Sequence, residues 1–189
     1  ELDHAIARGA KIYAEILGGN VNSGGQRGLG TMTAPNAEAV QKCIKDAILD
    51  AEIEAKDIDL INGHLTATSK DALEIDNWSK ALNRMGCNFP YINSLKGMVG
   101  HCLSAAGSME LVASLLEIKH QFIFPSINCS DVNPDILALI SKDKIPQKAI
   151  FQPINILAKA SFGFGDVNGC VILKKYNYET RYSRFWSSS

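Results

Sequence analysis

Two histidines stand at junctions where packing alone would favour neither. His64 lies in NGHLTATS, directly after an apolar run and before three hydroxyl residues. His101 lies in INSLKGMVGHCLSAAG, residues 92–107, five positions after Lys96 and just ahead of very small residues. At the start of a helix, His101 would feel the positive end of the dipole. That end disfavours imidazolium and leaves a neutral ring able to donate a hydrogen bond. A neutral histidine that donates to a developing oxyanion is a catalytic device. Taken singly, His64 reads first as a structural hydrogen-bonder at a strand end, and His101 equally as a capping residue.

Lys96 is the third candidate. It falls in a glycine-flanked loop after a strand, where a lysine is ordinarily solvated. Glu110 lies on the following helix among small and apolar residues, where an unpaired carboxylate would be costly. A buried Lys96–Glu110 pair resolves both, unless Glu110 faces water. SFGFGDVNG, residues 161–169, is glycine-rich without the third glycine of a dinucleotide fingerprint, and a strand follows it. It reads as a turn carrying the aromatic Phe164 and free backbone N–H groups. Cys102 beside His101 has a physical case as a nucleophile at a helix N-terminus, but packing in the core is the expected role.

The elements that must position these residues follow from periodicity and breakers. Residues 10–18 read as a strand, and 19–35 as a Gly/Ser/Thr/Asn-rich loop. Asn36 is an N-cap for a helix whose apolar stripe is Val40, Cys43, Ile44, Ala47 and Ile48. The strand IDLIN runs into Gly63 and His64. A second helix spans about 71–85 with Gly86 as its C-cap, and a strand covers 89–93. A third helix over roughly 102–119 is expected to bury Leu103, Ala106, Val112, Leu115, Leu116 and Ile118. Strand-like runs follow at 155–162 and 168–175. The order β-α-β-α-β-α-β-β points to an α/β layered fold, a mixed sheet with helices packed on it. Loops beginning at His64, Ser94 and Phe162 then share the edge at the carboxyl ends of the strands, where ligands gather in such folds.

Composition narrows the function classes. A net charge of −1 gives no electrostatic reason to expect nucleic acid or an anionic membrane as partner. No apolar run approaches the roughly 20 residues of a membrane helix. Five scattered cysteines, with no CxxC pair, argue against a disulfide framework or zinc site and for reduced thiols in the cytoplasm. The chain opens on Glu1 directly into an element, so it is expected to be part of a longer polypeptide.

Three segments together resemble the C-terminal half of a β-ketoacyl–acyl carrier protein synthase, the elongating Cys-His-His type of the thiolase superfamily. They are N-x-H-x-T-x-T at 62–68, S-x-K-x-M-x-G-H-x-x-x-A-A-G at 94–107 and S-F-G-F-G-x-x-N-G at 161–169. The resemblance implies a thiolase-like layered α/β fold and decarboxylative Claisen condensation of malonyl carrier protein with an acyl-enzyme thioester. The pathway would be fatty acid, polyene or polyketide synthesis. His64 and His101 would stabilise the enolate oxygen, Lys96 with Glu110 would order the site, and Phe164 would gate it. Thr66, Thr68 and, more weakly, Thr33 would hydrogen-bond the phosphopantetheine arm. No metal and no cofactor beyond that carrier-borne arm is implied. The expected partners are acyl carrier protein, the N-terminal half bearing the nucleophilic cysteine, and a second synthase subunit in a homodimer or heterodimer. The chain alone would then be inactive.

On this reading residues 1–30 lead in from the N-terminal half, 31–176 form the synthase C-terminal domain, and 177–189 are a mobile tail. Three departures from the family pattern bear on specificity and gating: Leu65 in place of glycine, one residue fewer after Thr68, and Asp166-Val167 in the glycine turn. A catalytically silent partner resembling a chain-length factor is the competing class, opposed by the presence of His64, His101 and Lys96. A thiolase acting on coenzyme A would carry a second cysteine near the C-terminal glycine loop. Here Cys170 lies beyond that loop, within a strand.

Overall fold

The computed structural model describes residues 1–25 and 35–178. After a short helix α1 (Leu2–Ala7) the chain enters β1 (Ala14–Ser23), then α2 (Ala37–Asp50), β2 (Leu60–Asn62), α3 (Asp71–Leu82) and β3 (Tyr91–Asn93). Next come α4 (Lys96–Val99), a 3-10 turn at Leu103–Ala105, α5 (Ala106–His120) and β4 (Phe122–Ile123). The chain continues through α6 (Pro134–Leu137) and β5 (Ile150–Phe151) to the hairpin of β6 (Ile156–Gly163) and β7 (Val167–Lys175). Five strands form one mixed sheet in the order β1-β7-β6-β2-β3, while β4 and β5 make a separate two-stranded ribbon. Strands β3, β2 and β6 are mutually parallel, and β6, β7 and β1 are antiparallel. The expected α/β layered architecture is therefore present.

Period-two alternation divides the sheet into two faces. Ile61, Ile92, Ile156, Ala158 and Ala160 pack with the apolar stripe of α2 and with Ile75, Trp78 and Leu82 of α3. Leu60, Leu157 and Leu173 face the other way, against Ile118, Leu111 and Leu115 of α5. Helix α2 starts where expected: the Asn36 carboxamide accepts from the backbone N–H of Glu38 at 3.0 Å and of Ala39 at 3.4 Å.

Several boundaries differ from expectation. The first strand runs to Ser23, because β1 stays paired with β7 through a run of Gly, Asn and Ser that composition alone assigns to a loop. Helix α3 ends at a left-handed Asn83 (φ 52°) rather than at Gly86. The third helix begins at Ala106, after the 3-10 turn, so His101 and Cys102 precede it. Leu103, Val112 and Leu116 are exposed rather than buried, and Cys102 is half-buried. Ala106 and Ile118 are buried as expected, and the rest of the buried stripe of α5 is Glu110, Ser114 and Glu117. Polar groups on the facing sheet explain this inversion. At the tail, the Tyr178 hydroxyl bonds both backbone groups of Ile12; residues 179–189 lie outside the described residues. No helix among the described residues is long and apolar enough to cross a membrane.

Candidate active site

Asn62 and Asn93 close β2 and β3, and Lys159 lies inside β6; all three are buried on the face toward α5. Asn62 and Lys159 are register partners on adjacent parallel strands. Each polar side chain meets a polar residue of α5. The Asn62 amide donates to Ser114 Oγ at 3.1 Å and the Asn93 amide to Glu117 Oε1 at 2.7 Å. Lys159 Nζ lies 2.7 Å from Glu110 Oε2. Residues 110, 114 and 117 share one helix face, so the seam continues along the helix. Burial pushes the Glu117 carboxyl up to about 8, against the bonds from Asn93 and Phe124 that lower it.

Glu110 is the junction of this seam with the site. Lys96 Nζ bonds Glu110 Oε1, so the expected buried pair is present. A second lysine, Lys159, occupies the other carboxylate oxygen. That contact is an ion pair at 2.7 Å, while the amine donates its hydrogen bonds to Ser161 Oγ at 3.0 Å and to the Ala160 carbonyl. Burial lowers the Lys159 pKa, and Glu110 opposes that shift by favouring the ammonium.

The two histidines come together beside this group. Their ring centroids are 5.4 Å apart and the planes meet at 81°. His101 Nδ1 accepts from the backbone N–H of Leu103 at 3.1 Å. In the neutral ring that bond assigns the proton to Nε2, leaving one donor free. The device differs from the helix-dipole expectation: His101 serves as a side-chain acceptor for the 3-10 turn. Gly100, at φ 78°, turns the chain out of α4 ahead of it. His64 is lowered to about 4, first by burial, then by the nearby cations Lys96 and Lys159 and by His101, with Glu110 opposing.

The His64 loop is held by two acids of α3, Asp71 and Glu74, to which the sequence alone gives no role. Glu74 accepts from the backbone N–H of His64 at 2.7 Å and of Leu65 at 2.8 Å. Asp71 accepts from those of Thr66, Ala67 and Thr68 at 3.1 to 3.3 Å. Both acids stand in the first turn of α3, where the dipole favours negative charge. Burial nevertheless raises Glu74 to about 7, opposed by its two backbone donors. Leu65 needs no left-handed backbone here; Ala67, at φ 58°, takes that conformation instead. The Leu65 carbonyl accepts from Ser94 Oγ at 3.0 Å, which ties this loop to the end of β3.

Thr66, Thr68, Lys96 and His101 line a cleft of about 540 Å³ that also takes in Leu65 and Ser94. The two threonine hydroxyls are 3.3 Å apart. Thr33 lies outside the described residues. Phe164, on the β6–β7 turn, is 68% exposed; the phenylalanine near His64 is Phe162, with ring centroids 6.3 Å apart. Asp166 in that turn is buried in a left-handed conformation (φ 65°). Its Oδ1 accepts from the backbone N–H of Asn36 at 3.0 Å, and its carbonyl from that of Gly24 at 2.9 Å. The turn is thus joined to the start of α2 and the end of β1.

Residues 13–130 match the family profile described as beta-ketoacyl synthase, C-terminal domain. The chain belongs to this family. It is 37% identical over 177 residues to 3-oxoacyl-acyl-carrier-protein synthase 1 of Haemophilus influenzae, covering 94% of this chain and 41% of that one. The β-ketoacyl synthase domain also superposes on the solved ishigamide ketosynthase/chain length factor. There the TM-score is 0.83 and the identity 32%, over 93% of this chain and 41% of that one. A type II PKS acyl-carrier protein in complex with its ketosynthase gives a TM-score of 0.79 at 32% identity, with the same coverage of both chains. The chain thus spans about two fifths of the length of these relatives. The thiolase-like layered fold is shared with them. Among the described residues, no cluster of three or more His, Cys, Asp and Glu side chains is placed to hold a metal ion.

Proposed function

We propose that this domain is the C-terminal half of a β-ketoacyl-ACP synthase that condenses malonyl-ACP with an acyl chain held on a cysteine of the N-terminal half. The observation that carries the reading is the His64–His101 pair, 5.4 Å between centroids, beside the buried Lys96–Glu110 pair. In the reaction, the malonyl C–C bond to the carboxylate breaks and CO2 leaves. The electron pair passes into an enolate whose charge rests largely on the thioester oxygen. Two neutral N–H donors, from His64 and His101, stabilise that oxygen as its charge develops. The enolate carbon then attacks the acyl-cysteine carbonyl, a C–C bond forms, and cysteine thiolate departs.

Lys96 and Glu110 order the site as a closed ion pair. Thr66 and Thr68, on the wall of the cleft, offer hydroxyls to the amides of a phosphopantetheine arm, and Thr33 is carried as a weaker third. Phe164, exposed between Gly163 and Gly165, has the freedom a gate requires, and its backbone N–H would contribute to the oxyanion hole for the acyl-cysteine. No metal or further cofactor enters this scheme. The solved acyl-carrier-protein complex of a relative supports acyl carrier protein as partner. Met109, Val112 and Leu116 on the outer side of α5 are exposed, which suits a helix covered by the N-terminal half. Five cysteines without disulfides support a reducing, cytoplasmic location. The assembly is a dimer, of like subunits or with a partner synthase subunit, and this domain alone does not condense.

The likeness to a ketosynthase/chain length factor keeps a silent partner subunit as the second reading. The complete protein, incubated with acyl-ACP and malonyl-ACP, separates the two. Release of CO2 with a β-ketoacyl product supports the enzyme. A residue other than cysteine at the upstream nucleophile position, with no product, supports the silent subunit.

A further inference from the structure

One buried group is left over by this scheme. Lys96 already neutralises Glu110, yet Lys159 is also brought to that carboxylate, at 3% exposure and 2.7 Å. Three oxygen acceptors surround its amine: Glu110 Oε2, Ser161 Oγ and the Ala160 carbonyl. An ammonium has three N–H donors and no acceptor; here two are taken by Ser161 Oγ and the Ala160 carbonyl, and the charge meets Glu110 Oε2 as an ion contact. With both carboxylate oxygens engaged by lysines, the trio carries one net positive charge in a buried place. A second buried cation is costly to keep, and Glu110 alone does not call for it.

We propose that Lys159 is a positioning residue for the condensation: with Lys96 it holds Glu110 on both oxygens, so the carboxylate is withdrawn from the histidines and His64 remains a neutral N–H donor. The inference rests on the function proposed above. The charged groups around His64 are Asp71 and Glu74 of α3, Lys96 of α4, His101 of the following junction, Glu110 of α5 and Lys159 of β6. The two α3 acids are engaged with backbone N–H groups of the His64 loop. Glu110 is therefore the anion whose release would most favour imidazolium, and Lys159 is what closes its second oxygen. An imidazolium would bind the malonyl carboxylate in a ground-state ion pair that decarboxylation must break. A neutral donor gains its interaction as charge reaches the oxygen.

The test is a histidine-resolved NMR titration of the complete synthase, wild type against Lys159→Met and Lys159→Gln, with thermal melts of each. The midpoint of His64 is expected to rise by about one unit in either variant, a roughly tenfold gain in proton affinity. The acid limb of malonyl-ACP decarboxylation should rise in parallel. An unchanged His64 midpoint in a folded variant overturns the inference, and unfolding of both variants overturns it in favour of a purely structural lysine. The titration needs no turnover. A wild-type protein that never decarboxylates malonyl-ACP would sink the proposed function, and it would be seen separately from the His64 midpoint.

Discussion

The His64 and His101 rings meet edge to face, 5.4 Å between centroids, although 36 residues of helix, strand and turn separate them in the chain. Parallel pairing of β2 with β3 delivers both to one edge of the sheet. His64 follows the end of β2 directly, and His101 follows β3 by way of α4 and the Gly100 turn. Beneath them, one carboxylate and two lysines from three different elements form a single buried group.

Removing the centre of that group should be worse than removing an arm. Glu110→Ala leaves two buried ammonium groups without their anion, and breaking a buried pair in this way costs about 3–5 kcal/mol. Lys159→Met leaves the Lys96–Glu110 pair intact and should cost distinctly less. Thermal melts of the two variants check the order; equal losses would show that the trio does not act through Glu110.

Glu74 gives stability a pH dependence of definite sign. Its carboxyl is raised to about 7 in the fold, against about 4.3 for an unperturbed glutamate. Between those values the folded protein holds a proton that the unfolded chain has released, so stability falls as pH rises. The contribution is full below about pH 4, is lost through pH 7, and amounts to about 4 kcal/mol at most. Denaturant unfolding of the wild type and Glu74→Gln at pH 5 and pH 8 measures it. The variant should flatten the difference, and an equal slope in both would assign the dependence elsewhere.

Asp166 joins the β6–β7 turn to the start of α2 through a left-handed backbone and one buried carboxylate oxygen. Asn tolerates that conformation and keeps an acceptor for the Asn36 N–H, so Asp166→Asn should lie within about 1 kcal/mol of wild type. Asp166→Ala loses the bond and strains the backbone, for a cost of about 2–4 kcal/mol. Urea denaturation distinguishes them.

The strands, the two helices on the far face and the histidine motifs are legible in the sequence because each has a local cause. Asn36 caps α2, the stripe from Val40 to Ile48 has helical period, and IDLIN is a short apolar run ending in glycine. Helix α5 departs from the periodic expectation for an equally physical reason. Periodicity buries leucines and valines, whereas this helix faces strands that carry Asn62, Asn93 and Lys159, and so turns Glu110, Ser114 and Glu117 inward. An asparagine closing each of two apolar strands was the available signal. Lys159 had a weaker one, as a single charge inside the apolar run NILAKASF. Nothing local marks Glu74 as the acceptor for His64, because the bond spans a loop whose path depends on the whole sheet edge.

The most direct measurement compares two half-reactions in the complete synthase carrying His101→Ala. Oxyanion donors act on the decarboxylation, and losing one typically costs about 100-fold or more in rate. The account predicts that CO2 release from malonyl-ACP falls by at least that factor, while acyl transfer to the upstream cysteine stays largely intact. Equal loss of both steps, or undiminished decarboxylation, would contradict it.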